Sequence, residues 1–347
     1  MIFHSRKLAA AVATAFAGVV LLAGATTAFA AGPYTIQHTW KIGGEGRWDY
    51  LTVDSANHLL YIVRLNEVQV IDTNDGKVVK EITGLKHGHG VVFDADGKFG
   101  YISDGGGNEV LVFDRTSYDI VAHIPTGKNP DGMVFEPTTK TVWAFEGGGK
   151  KADVIDTSTN KIVASLPTGG TPEFPVTDGK GMVYDNNEDL NVIEKFDAKS
   201  MKMTGQWSVL PCKEPSGLAM DTANRRLFSV CDGTMVVSDA DAGKVVTTVP
   251  VGDGPDAVKY DAKAHMIFAS NEDGTLSIIE QKSADKYVVL QKIKTMEGSK
   301  TMGFDHGTGV AYVAGAVFGT TPPKTAANPK PRPVPTPSSV VMFVVGK

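Results

Sequence analysis

Residues 131–167 read DGMVFEPTTKTVWAFEGGGKKADVIDTSTNKIVASLP and contain four short apolar segments separated by polar turns. The first is DGMVFE, the second lies at Val142–Phe145, the third ends at Asp156 and the fourth is KIVASLP. Many of their residues are β-branched or aromatic, and Gly, Asn, Asp and Pro bound them, which is typical of strands joined by tight turns. We therefore predict a four-stranded antiparallel unit.

This unit recurs along the chain. Its first strand ends in an acid in every copy, at Asp54, Asp94, Glu136, Asp178, Asp221, Asp261 and Asp305. The intervals between these acids are 40, 42, 42, 43, 40 and 44 residues. Four strands in a period of about 40–45 residues are typical of one propeller blade. The sequence thus predicts an all-β fold, a seven-bladed β-propeller.

The two ends of the chain complete each other in this scheme. The seventh copy ends after its third strand, Ser339–Val345, and an orphan strand at Tyr34–Ile42 has the character of a fourth strand. We expect the N-terminal strand to close the last blade and to cover sheet edges that would otherwise invite aggregation. Residues 31–347 then form a single domain, with a Pro-rich loop at residues 319–338 inserted in the last blade.

Composition excludes several classes of protein. The chain has 347 residues, a net charge of −5, 42% hydrophobic and 21% charged residues, and 38 glycines. These values exclude a coiled coil, a collagen-like repeat and a mostly disordered chain. A mildly acidic protein lacks the dense Lys and Arg that coat nucleic acid, so we expect no nucleic-acid partner.

The first thirty residues are predicted to be a signal peptide. Arg6 and Lys7 precede an apolar stretch from Leu8 to Gly24, and small residues at Ala28–Ala30 follow it. This order is typical of a secretory signal cleaved after Ala30, with a retained membrane anchor as the alternative. No later stretch is apolar enough to cross a bilayer. The sequence therefore predicts a periplasmic or secreted protein.

Two cysteines fit that location. Cys212 lies in the turn that leads into blade five, and Cys231 ends the second strand of the same blade. Blade geometry places both on one face, and exported proteins keep disulfides. We predict a Cys212–Cys231 disulfide; a pair of soft metal ligands is the alternative.

Several motifs resemble a known family, the YVTN-repeat, YncE-like bacterial propeller proteins. The motifs are GGEGRWDYLTVD at 43–54, NPDGMVF at 129–135, CKEPSGLAMDTANRRLF at 212–228, and SKTMGFD at 299–305 with the Pro-rich ending. The sequence departs from the repeat signature where Tyr101–Asp104 reads YISD and Phe268–Asn271 reads FASN. The resemblance implies an exported seven-bladed propeller and assigns no reaction.

The repeated acids are predicted to be turn residues. A side chain needed at the same position of every blade is explained by hydrogen bonds to nearby backbone N–H groups. The same interpretation applies to the acids that end third strands, which are Asp72, Asp114, Asp156, Asp197 and Asp239. Function should lie where the copies differ.

A second ring of residues does differ between the blades. Five positions before each first-strand acid stand Asp49, His89, Asp131, Glu173, Ser216, Asp256 and Lys300. The strand that follows lines the central channel of a propeller, so these side chains should meet at the channel mouth, here called the funnel face. Turns between second and third strands lie on the same face and add Arg64, Asp104 and Glu146.

Three interpretations of this ring remain open. It forms a solvated rim, or it holds Ca²⁺, Mn²⁺ or Zn²⁺ through His89 with Asp131, Glu173, Asp49 or Asp256, of which His89, Asp131 and Glu173 are the first choice. Alternatively, it recognises a small polar molecule or a peptide, with Arg64 and Lys300 binding anionic groups.

Catalytic motifs are missing from the sequence. It has no His-Glu-x-x-His helix, haem attachment motif, phosphate loop or Gly-x-Ser-x-Gly elbow, and Ser216 has no evident base. We therefore predict a monomer that binds a partner protein or small ligand through its funnel face and assign no catalysis. The alternative is a metal-assisted hydrolase or lyase on the same face. The Pro-rich loop should emerge there too, as a solvated loop, a lid over the mouth or a docking segment.

Overall fold

The computed structural model describes residues 32–44, 46–325 and 331–347. The predicted signal peptide at residues 1–30 lies outside this range. The described residues form 28 strands in seven four-stranded antiparallel sheets. Within the same residues, no helix is long and apolar enough to span a membrane. The predicted all-β propeller with seven blades is confirmed.

The first four blades follow one another along the chain, each with its strands in sequence order. Their strands are β2 (Trp48–Asp54), β3 (Leu59–Arg64), β4 (Glu67–Asp72) and β5 (Val78–Thr83); β6 (Gly88–Phe93), β7 (Phe99–Asp104), β8 (Glu109–Asp114) and β9 (Ile120–Pro125); β10 (Pro130–Glu136), β11 (Thr141–Glu146), β12 (Lys151–Asp156) and β13 (Lys161–Pro167); and β14 (Pro172–Thr177), β15 (Met182–Asn187), β16 (Val192–Asp197) and β17 (Lys202–Ser208).

The other three blades include the one that joins the chain ends. Their strands are β18 (Leu218–Asp221), β19 (Arg226–Cys231), β20 (Thr234–Asp239) and β21 (Lys244–Pro250); β22 (Pro255–Asp261), β23 (Met266–Asn271), β24 (Thr275–Ser283) and β25 (Lys286–Lys294); and β26 (Met302–Asp305), β27 (Val310–Gly315), β28 (Val341–Gly346) and β1 (Thr35–Lys41).

The N-terminal strand closes the ring as predicted. β1 pairs antiparallel with β28, from Thr35 opposite Gly346 to Lys41 opposite Val341. The pair gives the last sheet the order β26-β27-β28-β1, so its outer strand comes from the other end of the chain. The innermost strands β2 and β26 are neighbours, and the ring is thereby complete.

The core lies between the faces of adjacent blades. Second and third strands carry fully buried apolar side chains; Tyr101, Val112 and Val142, for example, pack together between blades two and three. Fourth strands alternate between exposed and partly buried residues, as at Lys161–Pro167, because one edge of each blade faces solvent. The fourth strand is therefore the outer edge of each blade, and the first strand faces the central channel.

The repeated acids serve as turn residues, which confirms that prediction. Asp221 Oδ1 accepts hydrogen bonds from the backbone N–H groups of Ala223 and Asn224, at 3.0 and 3.1 Å. Asp305 does the same for Gly307 and Thr308. An acceptor placed there satisfies backbone donors that the tight turn leaves unpaired.

The predicted disulfide is also confirmed. Cys212 and Cys231 are bonded, with their Cα atoms 5.6 Å apart, and both residues are buried. Because the two sulfurs bind each other, the alternative of a pair of metal ligands is wrong. A buried disulfide indicates an oxidising compartment.

Candidate functional site

The ring residues lie where the inner strands begin at the channel mouth. In five blades the register between first and second strands shifts at this point, in the intervals Trp48/Leu51, Gly88/Val91, Pro130/Met133, Pro172/Pro175 and Pro255/Ala257. Each interval contains or borders the ring residue of its blade. Such a bulge locally re-aims a side chain. The irregularity therefore turns these side chains away from the sheet and into the mouth.

Three adjacent blades bring Asp49, His89 and Asp131 together. His89 Nδ1 lies 2.7 Å from Asp49 Oδ2 and 3.4 Å from Asp131 Oδ1. His89 is only 7% exposed. Burial alone would lower the pKa of His89, but the hydrogen bond to Asp49 and the charges of Asp131 and Asp49 raise it to about 9. The imidazole is therefore cationic at neutral pH and partly balances two acids.

The opposite arc of the ring pairs its own charges. Lys300 Nζ lies 2.9 Å from Asp256 Oδ2, and Ser216 Oγ donates to Asp256 Oδ1 at 2.8 Å. Burial would lower the pKa of Lys300, but the charge and hydrogen bond of Asp256 raise it. Lys300 is thus engaged with a carboxylate, which weakens its predicted role in binding anions.

Glu173 has no such partner and forms no ion pair with any described residue. Burial, followed by the charges of Asp131 and Glu188, raises its pKa well above the ordinary value. The pKa of Asp131 is likewise raised to about 7, chiefly by burial and against the opposing effect of His89. Both shifts show that burial first, and then the neighbouring acids, disfavour the ionised forms of these carboxyl groups at the mouth.

Sequence reasoning missed Glu188, which belongs to the same cluster. It lies in the turn after β15, and its backbone N–H donates to Thr171 O next to the start of β14. Burial and then the charges of Asp256 and Glu214 raise its pKa. The predicted positions were the ends of second strands and not the turn residues that follow them. Asp49, Asp131, Glu173, Glu188 and Asp256 thus share the mouth with His89 and Lys300; we call these seven residues the funnel cluster.

Arg64 lies apart from the funnel cluster, and its role in binding anions stays a prediction. Its side chain is fully buried, and its guanidinium donates to the backbone carbonyl groups of Gly43, Gly46 and Arg47. It also donates to Gln69 Oε1 at 2.9 Å. Arg64 therefore fixes the segment between β1 and β2.

Asp104 and Glu146 are also buried, and they accept hydrogen bonds from backbone N–H groups of nearby loops. Asp104 accepts hydrogen bonds from the N–H groups of Lys86, His87 and Gly107. Glu146 accepts one from Gly127 N–H at 2.8 Å and lies 3.3 Å from Lys151 Nζ. We therefore leave both residues out of the candidate site.

One group of donors at the mouth fits a metal ion. Ligand atoms of Asp49, His89 and Asp131 all lie within 4.8 Å of one another. Of the acids predicted as ligands beside His89, Asp49 and Asp131 belong to this set and Glu173 does not. Asp131 Oδ1 faces His89 Nδ1 at 3.4 Å and forms no hydrogen bond with any described residue. Once the imidazole has lost its proton, it and the two carboxylates form a donor set that suits Mn²⁺ or Zn²⁺ and leaves coordination positions open.

The described parts of the Pro-rich connection, at residues 319–325 and 331–338, lie beside this mouth. The connection links β27 to β28, and Phe318 pairs with Pro335 in an isolated antiparallel bridge. Arg47 donates two hydrogen bonds to Pro333 O, at 2.6 and 3.1 Å, and its guanidinium lies 5.8 Å from the ring centre of Phe318. The connection is thereby attached to the segment that precedes β2, on the funnel side.

Comparisons with known proteins show the fold and nothing finer. No protein-family model matches the sequence, and a search of curated proteins gave no significant match. The structure is similar to a chain of hydrazine synthase from Kuenenia stuttgartiensis, with a TM-score of 0.68 and 16% identity over 76% of this chain and 91% of that one. It is also similar to a chain in a crystal structure of the mitotic checkpoint complex, with a TM-score of 0.70 and 13% identity over 90% and 96%. The resemblance to YVTN-repeat proteins remains a prediction.

Proposed function

We propose that this propeller binds a partner protein or a small ligand through its funnel face, without catalysing a reaction, and that the bound group carries positive charge. The observation that carries the proposal is the composition of the funnel cluster, five carboxylates against His89 and Lys300. Propellers commonly present such a face to a partner, and one structurally similar chain belongs, by its title, to a protein complex.

The charges of the funnel cluster indicate that the ligand is a cation rather than an anion. The raised pKa values of Asp131, Glu173 and Glu188 mean that burial and mutual repulsion destabilise their ionised forms. A cation at the mouth would relieve this repulsion, whereas an anion would add to it. A divalent metal ion, an ammonium group or a guanidinium group on a partner would all meet this requirement.

Calorimetric titration with Mn²⁺, Ca²⁺, Zn²⁺ and argininamide tests the proposal. We expect at least one of these cations to bind the wild-type protein and to bind at least about tenfold more weakly after Asp131→Asn or Glu173→Gln. Asp96→Asn, at an exposed acid in a turn between β6 and β7, is the matched control and should change nothing. Failure of all four probes to bind, or equal binding by the ring variants, would refute the proposal.

The Asp49–His89–Asp131 triad supports a second candidate, a metal-assisted hydrolase or lyase. A divalent ion held there would supply a Lewis acid that polarises a substrate oxygen or lowers the pKa of a bound water. Around it, Lys300 and Asp256 would orient a polar substrate, and Glu173 would accept or hold a proton. Elemental analysis before and after Asp49→Ala and Asp131→Ala tests the second candidate: stoichiometric resident metal that these changes remove is what it requires, and metal-free protein would rule it out.

We also propose that the chain is an exported monomer of the YVTN-repeat, YncE-like kind. The charged and apolar order of residues 6–24, the Ala28–Ala30 site and the Cys212–Cys231 disulfide support export to the periplasm or beyond the cell. N-terminal sequencing of the exported protein should begin at Ala31. Recovery of an intact first segment in the membrane fraction would favour the retained anchor instead.

The Pro-rich connection at residues 319–338 is proposed to cover part of the mouth or to contact the partner. Its attachment through Arg47 and Phe318 places it beside the funnel cluster. Its three basic residues, Lys324, Lys330 and Arg332, have the charge that the acidic mouth attracts. Deletion of Pro322–Pro337 should change the affinity for the cation or partner. Unchanged affinity would show that the connection takes no part in binding.

A further inference from the structure

The central channel below the funnel cluster contains a cavity of about 430 Å³. All seven inner strands line it. Most of the lining is apolar or aromatic, with Val91, Met133, Phe135 and Met220 among its residues. The cavity is large enough for a small organic molecule.

One charged side chain from the inner strands projects into this apolar space. Lys259, on β22, lines the cavity, and its Nζ atom lies 4.8 Å from the ring centre of Phe174. Its Nζ atom makes no ion pair or hydrogen bond with any described residue, and only its backbone is paired, with Phe268 of β23. Burial lowers the pKa of Lys259 to about 8, and no neighbouring charge contributes to that shift. The ammonium is therefore still predominantly cationic at neutral pH and has no counter-ion within the protein.

Two aromatic side chains separate Lys259 from the acids at the mouth. Tyr50 and Phe174 each follow a ring residue and meet edge to face, with centroids 5.1 Å apart. The Tyr50 hydroxyl donates to Glu173 O at 3.4 Å. Burial and then the charges of Glu173, Asp131, Asp49 and Asp256 raise the pKa of Tyr50 well above its ordinary value. The acids at the mouth thus raise the pKa of Tyr50. Lys259 lies deeper in the channel, on the other side of the Tyr50 and Phe174 rings.

The far end of the cavity opens to solvent. His306 lines the cavity and is itself exposed, in the turn after β26. It lies at the end of the inner strands opposite to the funnel cluster. Acids that end the inner strands, such as Asp261 and Asp305, also lie at this end, but they accept hydrogen bonds from turn N–H groups and are not part of the cavity lining.

We propose that this channel is a second binding site, which takes a small organic carboxylate with an aromatic or apolar body from the face opposite the funnel. The Lys259 ammonium binds the carboxylate, and the rings of Phe174, Phe135 and Tyr50 contact the body. An ion pair between an ammonium and a carboxylate gains strength inside a poorly solvated site, and the apolar wall adds hydrophobic contact. The site does not depend on the proposed function of the funnel face.

Calorimetric titration with benzoate tests the site, with benzamide as the neutral probe of nearly the same shape. We expect wild-type protein to bind benzoate at least about tenfold more tightly than benzamide. Lys259→Met should weaken benzoate binding by a similar factor, and Lys259→Arg should retain it because the positive charge stays. Lys161→Met, at an exposed lysine on β13, is the matched control and should behave as wild type.

Three results would overturn the proposal. One is the absence of benzoate binding at millimolar concentrations, which would leave a water-filled channel only. Another is equal affinity for benzoate and benzamide. The third is undiminished benzoate binding by Lys259→Met. If Lys259→Met does not fold, the comparison of the two probes on wild type and on Lys259→Arg still decides.

Discussion

The Nδ1 atom of His89 lies 2.7 Å from the Oδ2 atom of Asp49, although 40 residues separate them in sequence. This contact joins blades one and two at the channel mouth. It exists because each blade begins its inner strand with a residue aimed at the same axis. The most unusual chemistry of the molecule therefore arises where identical structural positions carry unlike side chains.

The first prediction concerns the protonation of His89. Its pKa, about 9 in the folded protein, should fall towards the ordinary value of imidazole in Asp49→Asn. Because the folded pKa is raised, the interaction stabilises the protein below the unfolded pKa, and this stabilisation is lost as pH rises through about 9. NMR titration of the imidazole measures the pKa directly. A wild-type value near 6.5 would contradict the geometry of the pair.

A second prediction concerns two buried acids in blade four. Asp185 and Glu194 face each other across β15 and β16, and both are fully buried. Burial raises the pKa of Glu194 to about 8, and that of Asp185 is raised well above its ordinary value by burial and by Glu194. For an acid with a raised folded pKa, stability is greatest at low pH and declines as pH rises towards the folded value.

Glu194→Gln should therefore stabilise the protein at pH 8 by roughly 1–3 kcal/mol, because an amide needs no proton to stay neutral. The gain should vanish near pH 4, where the carboxyl group is already protonated. Urea unfolding of both proteins across this pH range gives the measurement. A variant that is equally destabilised at both pH values would show that the carboxyl group is required for packing.

The third prediction is a free-thiol count of zero in the unreduced, denatured protein, because both cysteines of the sequence form the disulfide. Replacing both by serine should lower the free energy of unfolding by about 3 kcal/mol, as expected for closure of a loop of this length. Chemical denaturation of the two proteins provides the comparison. Two reactive thiols in wild type would disprove the bond.

The fourth prediction tests closure of the ring. Deleting residues 32–41 removes β1 and leaves the edge of β28 unpaired, so the shortened chain should aggregate or unfold at a markedly lower temperature. Gln37→Ala is the control, since it removes only an exposed hydrogen bond to Lys347 O. Size-exclusion chromatography and thermal unfolding report both effects. A monomeric deletion variant with wild-type stability would mean that β1 is dispensable.

The blade count and the closing strand followed from the sequence because both depend on backbone patterns. An acid such as Asp221 marks the same turn in every blade, and that turn needs an acceptor for its own N–H groups. Position in a blade also placed the ring residues, since every inner strand meets one axis. The repeated sequence unit was therefore sufficient to predict most of the fold.

Side-chain partners did not follow from the same pattern. The sequence could not show that Asp49 rather than Glu173 contacts His89, because that choice depends on side-chain conformations across the mouth. Nor could it show that Arg64 is buried under residues 43–47, since that depends on the path of an irregular segment. Lys259 escaped notice because a lysine in a strand is usually solvated, and only the closed ring encloses it.

Anomalous diffraction from crystals grown with Mn²⁺ is the most direct test of the central claim, that the funnel cluster gathers carboxyl groups whose ionised forms a bound cation stabilises. We predict a single strong peak beside His89 Nδ1 and the carboxylates of Asp49 and Asp131, and its absence in Asp131→Asn crystals. Wild-type crystals with no peak at the channel mouth, or with Mn²⁺ only at exposed surface acids, would contradict the claim.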